Sequence, residues 1–330
     1  MTTVVIATPL EPELVERIRA VDERLEVLFE PELLPRARYP SDHIGDPHWT
    51  RTAELEQLVA RAEILYGFPH EKPAQLAWAV RHAPALRFVQ CTFAGAGQQV
   101  AAADLTAEEL RRVAFASSSG VHVAPLAEWS MLGILAFRKG LPQLQRDQRA
   151  KHWAPHFPVD ELAGATVLVV GLGAIGREVA RLAEAFHMRV LSVRRSDGDL
   201  DELLPQADAI VVTLPLTRET RGLIDRRRIG LMKPGAVFVN VGRGAVADED
   251  ALADALRSGK LRGAALDVFA EEPLPASSPF WELENVIVSP HTAALSSREN
   301  ERIVELFCEN LRRYLAGEPL ESRIDTDLFY

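Results

Sequence analysis

Short apolar runs alternate along this chain with longer stretches in which apolar residues return every third or fourth position. The first pattern suits buried strands and the second amphipathic helices. In the first third, residues 3–7, 25–29, 63–68, 87–91 and 112–116 predict strands, and residues 11–21, 52–62 and 73–82 predict helices between them. Pro12 and Pro73 stand near two of these helix starts, where a missing N–H costs little. A second series predicts strands at 166–170, 189–193, 209–213, 236–241, 263–268 and 285–289, with helices at 174–186, 226–232 and 249–258. Strands separated by helices build parallel sheets covered on both faces, an α/β architecture. Residues 126–148 predict one long helix joining the two series, interrupted or kinked near Pro142, and a helix over 296–316 would return the chain to the first series. The expected organisation is a discontinuous first domain, residues 1–125 and 296–330, with a second domain, 126–295, inserted into it. Residues 35–49, with their prolines and histidines, predict a surface loop.

Composition narrows the class. A chain of 330 residues divides naturally into two domains at roughly 150 residues each. A net charge of −10 argues against non-specific binding to nucleic acid or to an anionic membrane. The N-terminal Met1-Thr2-Thr3-Val4-Val5-Ile6-Ala7 lacks the basic start and long apolar core of a signal peptide, and no run approaches the ~18 apolar residues of a membrane span. Cys91 and Cys308 stand far apart and without metal-ligand spacing. A soluble, cytoplasmic protein with two reduced thiols and no metal is expected.

Gly171-Leu172-Gly173-Ala174-Ile175-Gly176 follows the predicted strand 166–170 and opens the predicted helix 174–186. A glycine triplet alone also serves ordinary turns, but between a buried strand and a helix it has a further use. The first glycine permits the turn, the second lets backbone approach a pyrophosphate, and the third lets helix pack on strand. The helix N-terminus then offers free N–H groups and a favourable dipole to phosphate. An NAD site usually has an acid at the end of the next strand, to bind the ribose hydroxyls. Here the strand ends in Val193-Arg194-Arg195-Ser196, whose two guanidinium groups and hydroxyl suit a 2′-phosphate, so NADP is expected over NAD. The plainer alternative is that both arginines only solvate the strand end while Asp197 reaches the ribose.

Downstream lie three candidates in separate segments. Arg243 sits in Asn240-Val241-Gly242-Arg243-Gly244, Glu272 in Asp267-Val268-Phe269-Ala270-Glu271-Glu272-Pro273, and His291 in Ser289-Pro290-His291. Singly, each has a plain explanation as a surface cation, a loop carboxylate and a structural histidine. Jointly, they supply a permanent cation to grip a carboxylate, a group titrating near neutrality to move a proton, and an anion to hold that group ready. His43, His48, His70 and His122 have no comparable setting and are expected to be structural or solvent-facing.

With Phe93-Ala94-Gly95-Ala96, Leu214-Pro215-Leu216-Thr217 and Lys233-Pro234-Gly235, this ordered set resembles the D-isomer-specific 2-hydroxyacid dehydrogenase family, which includes glyoxylate/hydroxypyruvate reductases. The match covers nearly the whole chain. The resemblance implies two doubly wound domains, a flavodoxin-like substrate domain and a Rossmann-type nucleotide domain, with the active site in the cleft between them. It implies reduction of a small 2-keto acid to the D-2-hydroxy acid by NAD(P)H. Arg243 would bind the substrate carboxylate and keto oxygen, His291 would protonate that oxygen, and Glu272 would pair with His291, favouring the imidazolium. Leu172, Gly173, Ala174, Ile175, Leu214, Pro215, Thr220, Val241 and Gly242 would line the cofactor, and Asp267 would accept from its nicotinamide amide unless it is a strand-end acid pairing with backbone. The backbone of Ala94, Gly95 and Ala96 would face the substrate carboxylate, although Phe93 and Gly97 replace more usual polar residues, and Tyr66 and Gly67 are weaker pocket candidates.

The resemblance further implies a homodimer in which Trp153 crosses to the partner subunit's cleft; local packing of Trp153 is the alternative. A phosphoglycerate dehydrogenase is the nearest competing activity, although its substrate phosphate would want cations around residues 93–97, where none stand. A formate dehydrogenase lacks the acid at the position of Glu272. A dinucleotide-sensing corepressor, acting through assembly, is the competing non-catalytic function.

Overall fold

The computed structural model describes residues 1–39, 41–46, 48–50, 52–193 and 200–329. It falls into two units, Met1–His122 with Leu295–Tyr330, and Val123–Ala294.

The first unit begins with β1 (Thr2–Ile6), α1 (Pro12–Arg19), β2 (Leu25–Leu28), α2 (Ala53–Ala60), β3 (Ile64–Tyr66) and α3 (Pro73–His82). It continues through β4 (Phe88–Gln90), α4 (Ala96–Ala102), α5 (Ala107–Arg112) and β5 (Ala114–Ala116). The strands form one parallel sheet in the order β2-β1-β3-β4-β5, the flavodoxin-like arrangement. Alternation along β1 builds the two faces: Val5 and Ala7 join Leu55, Leu76 and Phe115 on one side, and Val4 and Ile6 join Ile18 and Phe88 on the other. The helices α4 and α5 were not expected. Thr106 starts α5 with a capping box, its side chain accepting from Glu109 N–H while the Glu109 carboxylate accepts from Thr106 N–H. That helix takes in Arg112, so the strand expected at 112–116 starts later, at Ala114.

The described residues of the stretch 35–49 form a loop, as expected, with residues 36–39, Ile44 and His48 exposed, but its middle is not at the surface. Ser41, Asp42 and His43 are buried. Arg38 grips Asp42 through two bonds of 2.7 and 3.0 Å, Gly45 N–H donates to the same carboxylate, and Thr8 donates its hydroxyl to the His43 carbonyl. Burial opposes the Asp42 charge, but Arg38 and the backbone donors outweigh it and hold the carboxyl at about 2. Polar residues read as a loop; what hid their burial is that they satisfy one another.

The second unit opens with α6 (Val123–Arg138) and α7 (Leu141–Ala150). The helix expected over 126–148 is thus interrupted next to Pro142, as two helices. The chain breaks at Gly140, in the left-handed region at φ +70°, and Pro142 falls in the first turn of α7, where its missing N–H is harmless. Then follow β6 (Thr166–Val170), α8 (Ala174–Ala185), β7 (Arg189–Val193), α9 (Leu200–Leu203), β8 (Ala209–Val212), α10 (Arg226–Leu231), β9 (Ala236–Asn240), α11 (Glu249–Arg257), β10 (Leu261–Leu266) and β11 (Val286–Val288). Their parallel sheet runs β11-β10-β9-β8-β6-β7, so the chain reverses its direction across the sheet at β6. Such a switch point is where ligands bind in open α/β sheets. Helix α6 lies close on this sheet because Gly133 and Gly263 have no side chains. A Cβ on Gly133 would come within 2.6 Å of Ala265 Cβ, and one on Gly263 within 2.2 Å of the Phe137 ring.

The chain returns to the first unit through α12 (Glu299–Ala316). Ile303, Val304, Phe307 and Leu311 fill the face made by Val4, Ile6, Ile64 and Phe88. Each large apolar side chain buried in this way contributes about 1.5–3 kcal/mol, so the first sheet relies on this helix. His122 Nε2 sits 2.7 Å from Glu299 Oε1, and Ala116 bridges to Arg323. Among the described residues no helix is long and apolar enough to cross a membrane.

Candidate active site of the second unit

At the end of β6 the chain turns through Gly171, at φ +105°, and α8 begins with Gly173 as its N-cap. The three glycines meet different surroundings. A Cβ on Gly171 would lie 2.8 Å from Leu214 Cδ2, and one on Gly176 only 2.0 Å from the Gly171 carbonyl oxygen. Both positions are glycine because protein already fills the space. A Cβ on Gly173 would meet no atom within 4 Å, and Gly173 and Ala174 are exposed beside half-buried Leu172 and Ile175. The first turn of α8 thus has an open side, which a side chain at Gly173 would fill. These residues fit a dinucleotide pyrophosphate.

Neighbouring loops support that turn. Thr213 donates its hydroxyl to the Gly171 carbonyl at 2.6 Å. A Cβ on Gly242 would lie 2.5 Å from the Leu214 carbonyl oxygen, so the segments carrying Leu214 and Val241-Gly242 press together. Pro215 is exposed and Val241 buried. The Thr220 hydroxyl donates to the Pro215 carbonyl and accepts from Thr217 N–H, both at 2.7 Å, which commits it to its own turn. Arg194, Arg195 and Ser196, on which the choice of dinucleotide was read, lie outside the described residues.

Arg243, Glu272 and His291 come from the loops after β9, β10 and β11. Asn240 brackets the first loop: its Oδ1 accepts from Gly242 N–H at 3.0 Å and its Nδ2 donates to the Arg243 carbonyl at 3.1 Å. The Arg243 guanidinium donates to the Gly242 carbonyl and makes no ion pair among the described residues. Behind it, a Cβ on Gly244 would lie 1.9 Å from the Phe269 carbonyl carbon, so the arginine loop rests on the glutamate loop with no side chain between. In that second loop, Glu272 Oε1 accepts from Phe269 N–H at 2.9 Å and Oε2 lies 2.8 Å from His291 Nδ1. The bond at Nδ1 orients the ring and leaves Nε2 to exchange a proton. The two side chains keep 46% and 37% of their exposure. A pair so exposed contributes about 0–1 kcal/mol to stability, so stability does not account for the arrangement.

Asp267 shows what holds the histidine. It is 1% exposed, and its Oδ1 accepts from the Ser289 hydroxyl at 2.6 Å, Thr292 N–H at 2.9 Å and Ala293 N–H at 3.0 Å. That oxygen ties the end of β10 to the backbone of the histidine turn. His291 itself has φ +55°, a strained conformation for a residue with a Cβ, and the Asp267 bonds stabilise the turn containing it. Asn240, Gly244 and Ser289 were inside the quoted motifs but had no assigned role. An asparagine two residues before a glycine, and a serine just before Pro290, are turn-forming signals that pointed to them.

The other candidates fall elsewhere. Tyr66 is a core residue of the first unit, fully buried with its ring 4.9 Å from Phe307, which corrects its expected place in a pocket. Gly67 follows it at φ +65°, also buried, where a Cβ would strike Thr8. Ala94 and Gly95 are exposed and Ala96 is buried in the first turn of α4. Trp153 is 93% exposed, which removes local packing as its explanation.

The sequence profile of the D-isomer specific 2-hydroxyacid dehydrogenase NAD binding domain matches residues 131–293, within the second unit. A D-3-phosphoglycerate dehydrogenase of Methanocaldococcus jannaschii is 38% identical over 214 residues, covering 61% of this chain and 41% of that protein. A glyoxylate reductase of Thermofilum pendens is 35% identical over 233 residues, covering 65% of this chain and 69% of that one. The solved D-isomer specific 2-hydroxyacid dehydrogenase of Xanthobacter autotrophicus Py2, in complex with NADPH and MES, superposes with a TM-score of 0.73 at 29% identity, covering 100% of this chain and 99% of that one. The chain spans less than half the length of the phosphoglycerate dehydrogenases it matches. It belongs to the D-isomer specific 2-hydroxyacid dehydrogenase family, and its fold is the family's, a doubly wound α/β unit of flavodoxin type and a second of Rossmann type.

Proposed function

We propose that this protein reduces a small 2-keto acid of the glyoxylate or hydroxypyruvate kind to the D-2-hydroxy acid, with NADPH preferred over NADH. The observation that carries this is the exposed Glu272–His291 pair at 2.8 Å, its glutamate on a loop pressed against the one bearing Arg243, which makes no ion pair among the described residues. Arg243 binds the substrate carboxylate and keto oxygen through charge-assisted hydrogen bonds. His291 gives the proton on Nε2 to that oxygen, and Glu272 holds the ring through Nδ1. A dinucleotide bound along Leu172, Gly173, Ala174 and Ile175 supplies the hydride. The cofactor preference rests on Arg194, Arg195 and Ser196 in the sequence, and on the NADPH complex of the Xanthobacter relative.

A homodimer belongs to the same proposal. Trp153 stands free beside an open groove of about 830 Å³ lined by Leu144, Lys151, Phe157 and Val159, of which Leu144, Phe157 and Val159 are exposed apolar side chains. A second copy would cover this apolar surface and receive the tryptophan.

Similarity to phosphoglycerate dehydrogenases supports a second activity, oxidation of a phosphorylated hydroxy acid. Turnover of glyoxylate, hydroxypyruvate and 3-phosphohydroxypyruvate with each reduced cofactor separates the two. Arg243→Ala and His291→Ala are expected to abolish most reduction, by roughly 100- to 10,000-fold for the histidine, with cofactor binding retained. Wild-type turnover in either variant would sink the assignment, and cofactor-dependent assembly without turnover would favour the corepressor.

A further inference from the structure

We infer that Glu249 is a positioning residue for the Glu272–His291 pair, its carboxylate holding the loop that presents Glu272 and its charge facing that pair. This rests on the proposed roles of Glu272 and His291. Glu249 is the first residue of α11, behind the cap Asp248, whose side chain accepts from Ala251 N–H at 2.9 Å. The helix is anchored by buried Leu252, Ala253 and Leu256. From this fixed point Glu249 Oε1 accepts from Ala270 N–H at 2.6 Å. The preceding N–H, of Phe269, donates to Glu272 Oε1. Successive amides of one turn are therefore held by two carboxylates: Glu272 closes the turn on itself, and Glu249 ties it to the helix. The Phe269 ring, buried 5.8 Å from Phe280, and the Gly244 backbone fix the other sides.

Nothing about stability demands this tie. The bond lies at the surface, so Ala270 N–H freed of Glu249 turns to water at little cost. Its effect falls instead on where Glu272 stands. The charged groups facing Glu249 are Asp250 on its own helix and Glu272 on the loop, with His291 beyond Glu272 and Arg243 across Gly244. Partial burial, then the Asp250 and Glu272 charges, raise the Glu249 carboxyl above its ordinary range against the pull of Ala270 N–H. Glu249 therefore sets a second carboxylate behind Glu272.

The test compares wild type with Glu249→Gln, Glu249→Ala, Glu272→Gln and His291→Ala. Hydroxypyruvate reduction is followed against pH with NADPH and NADH, and the His291 ring is titrated by NMR without substrate. Glu249→Ala is expected to lower kcat roughly 10- to 100-fold by misplacing Glu272, with cofactor binding and thermal unfolding unchanged. Glu249→Gln keeps an acceptor for Ala270 and so restores kcat, but moves the alkaline limb of the profile and the His291 titration to lower pH, by less than Glu272→Gln does. Wild-type kcat in Glu249→Ala, or an unmoved His291 titration in Glu249→Gln, overturns the inference. If Glu249→Ala fails to fold, the Glu249→Gln titration decides alone. If Glu272→Gln and His291→Ala lose activity while both Glu249 variants match wild type, only this inference falls. If those two variants also match wild type, the proposed function falls with it.

Discussion

Replacing Asp267 separates a carboxylate that builds the histidine turn from one that serves only a bound cofactor. Its Oδ1 takes two backbone N–H groups and a serine hydroxyl. Asp267→Ala leaves those donors without their acceptor. A buried donor left unpaired costs about 1–3 kcal/mol, and Ala293 N–H is in that position. The Thr292 amide is only partly buried and the Ser289 hydroxyl can rotate, so about 3 kcal/mol in total is expected. Asp267→Asn keeps the oxygen and loses the charge, a loss of about 1 kcal/mol. The left-handed His291 costs of order 1–3 kcal/mol, an amount comparable with what the Asp267 bonds contribute. In Asp267→Ala the turn relaxes, the ring leaves Glu272, and kcat falls by about 100-fold or more. Urea unfolding, hydrogen exchange at Thr292 and Ala293, and kcat are the measurements. An alanine variant within about 0.5 kcal/mol of wild type, with unchanged exchange at both amides and only weakened cofactor binding, would refute the structural role.

Three further outcomes are expected. Glu71 is pushed up from 4.5 to about 7, chiefly by burial of its carboxyl and then by the Glu299 and Asp42 charges, while Thr92 opposes the shift. A raised folded-state value means no penalty below about pH 4.5 and a penalty that grows to full size above pH 7; a shift of about 2.5 units at 1.36 kcal/mol each gives about 3 kcal/mol. Glu71 retains some exposure, which makes this a ceiling, so Glu71→Gln should gain about 1–3 kcal/mol at pH 8 and nothing at pH 4, and equal gains at both would contradict it. Gly173→Ala should unfold like wild type yet lose dinucleotide affinity by calorimetry, whereas Gly176→Ala should lose stability too; wild-type affinity in Gly173→Ala would count against the cradle. Trp153→Ala should raise KM or change keto-acid preference without weakening cofactor binding, and a fully active monomer by light scattering would dispose of the dimer.

Periodicity was enough to read both sheets, because buried strands such as Thr166–Val170 are continuous apolar runs and α8 has a clear apolar stripe. The catalytic candidates were readable because glycine, proline and charge mark their loops. What escaped depends on contacts between distant segments. The burial of Ser41, Asp42 and His43 follows from Arg38 and Thr8, not from any local pattern. Tyr66 looked like a strand-end pocket residue, and only the returning Phe307 makes it core. Proline drew the kink to Pro142, although the break belongs to Gly140, whose backbone alone takes the left-handed turn without strain. Glu249 carried no motif, since its meaning lies in reaching Ala270 across the chain.

The return of α12 sets an order of assembly during synthesis. Residues 123–294 are contiguous, so their sheet has all its strands as soon as that stretch has left the ribosome. The earlier strands, β1 to β5, lack Ile303, Phe307 and Leu311 until residues 123–294 have been made. Until then Val4, Ile6, Ile64 and Phe88 present an uncovered apolar face. The first sheet is therefore completed only after the whole of the second unit has been made.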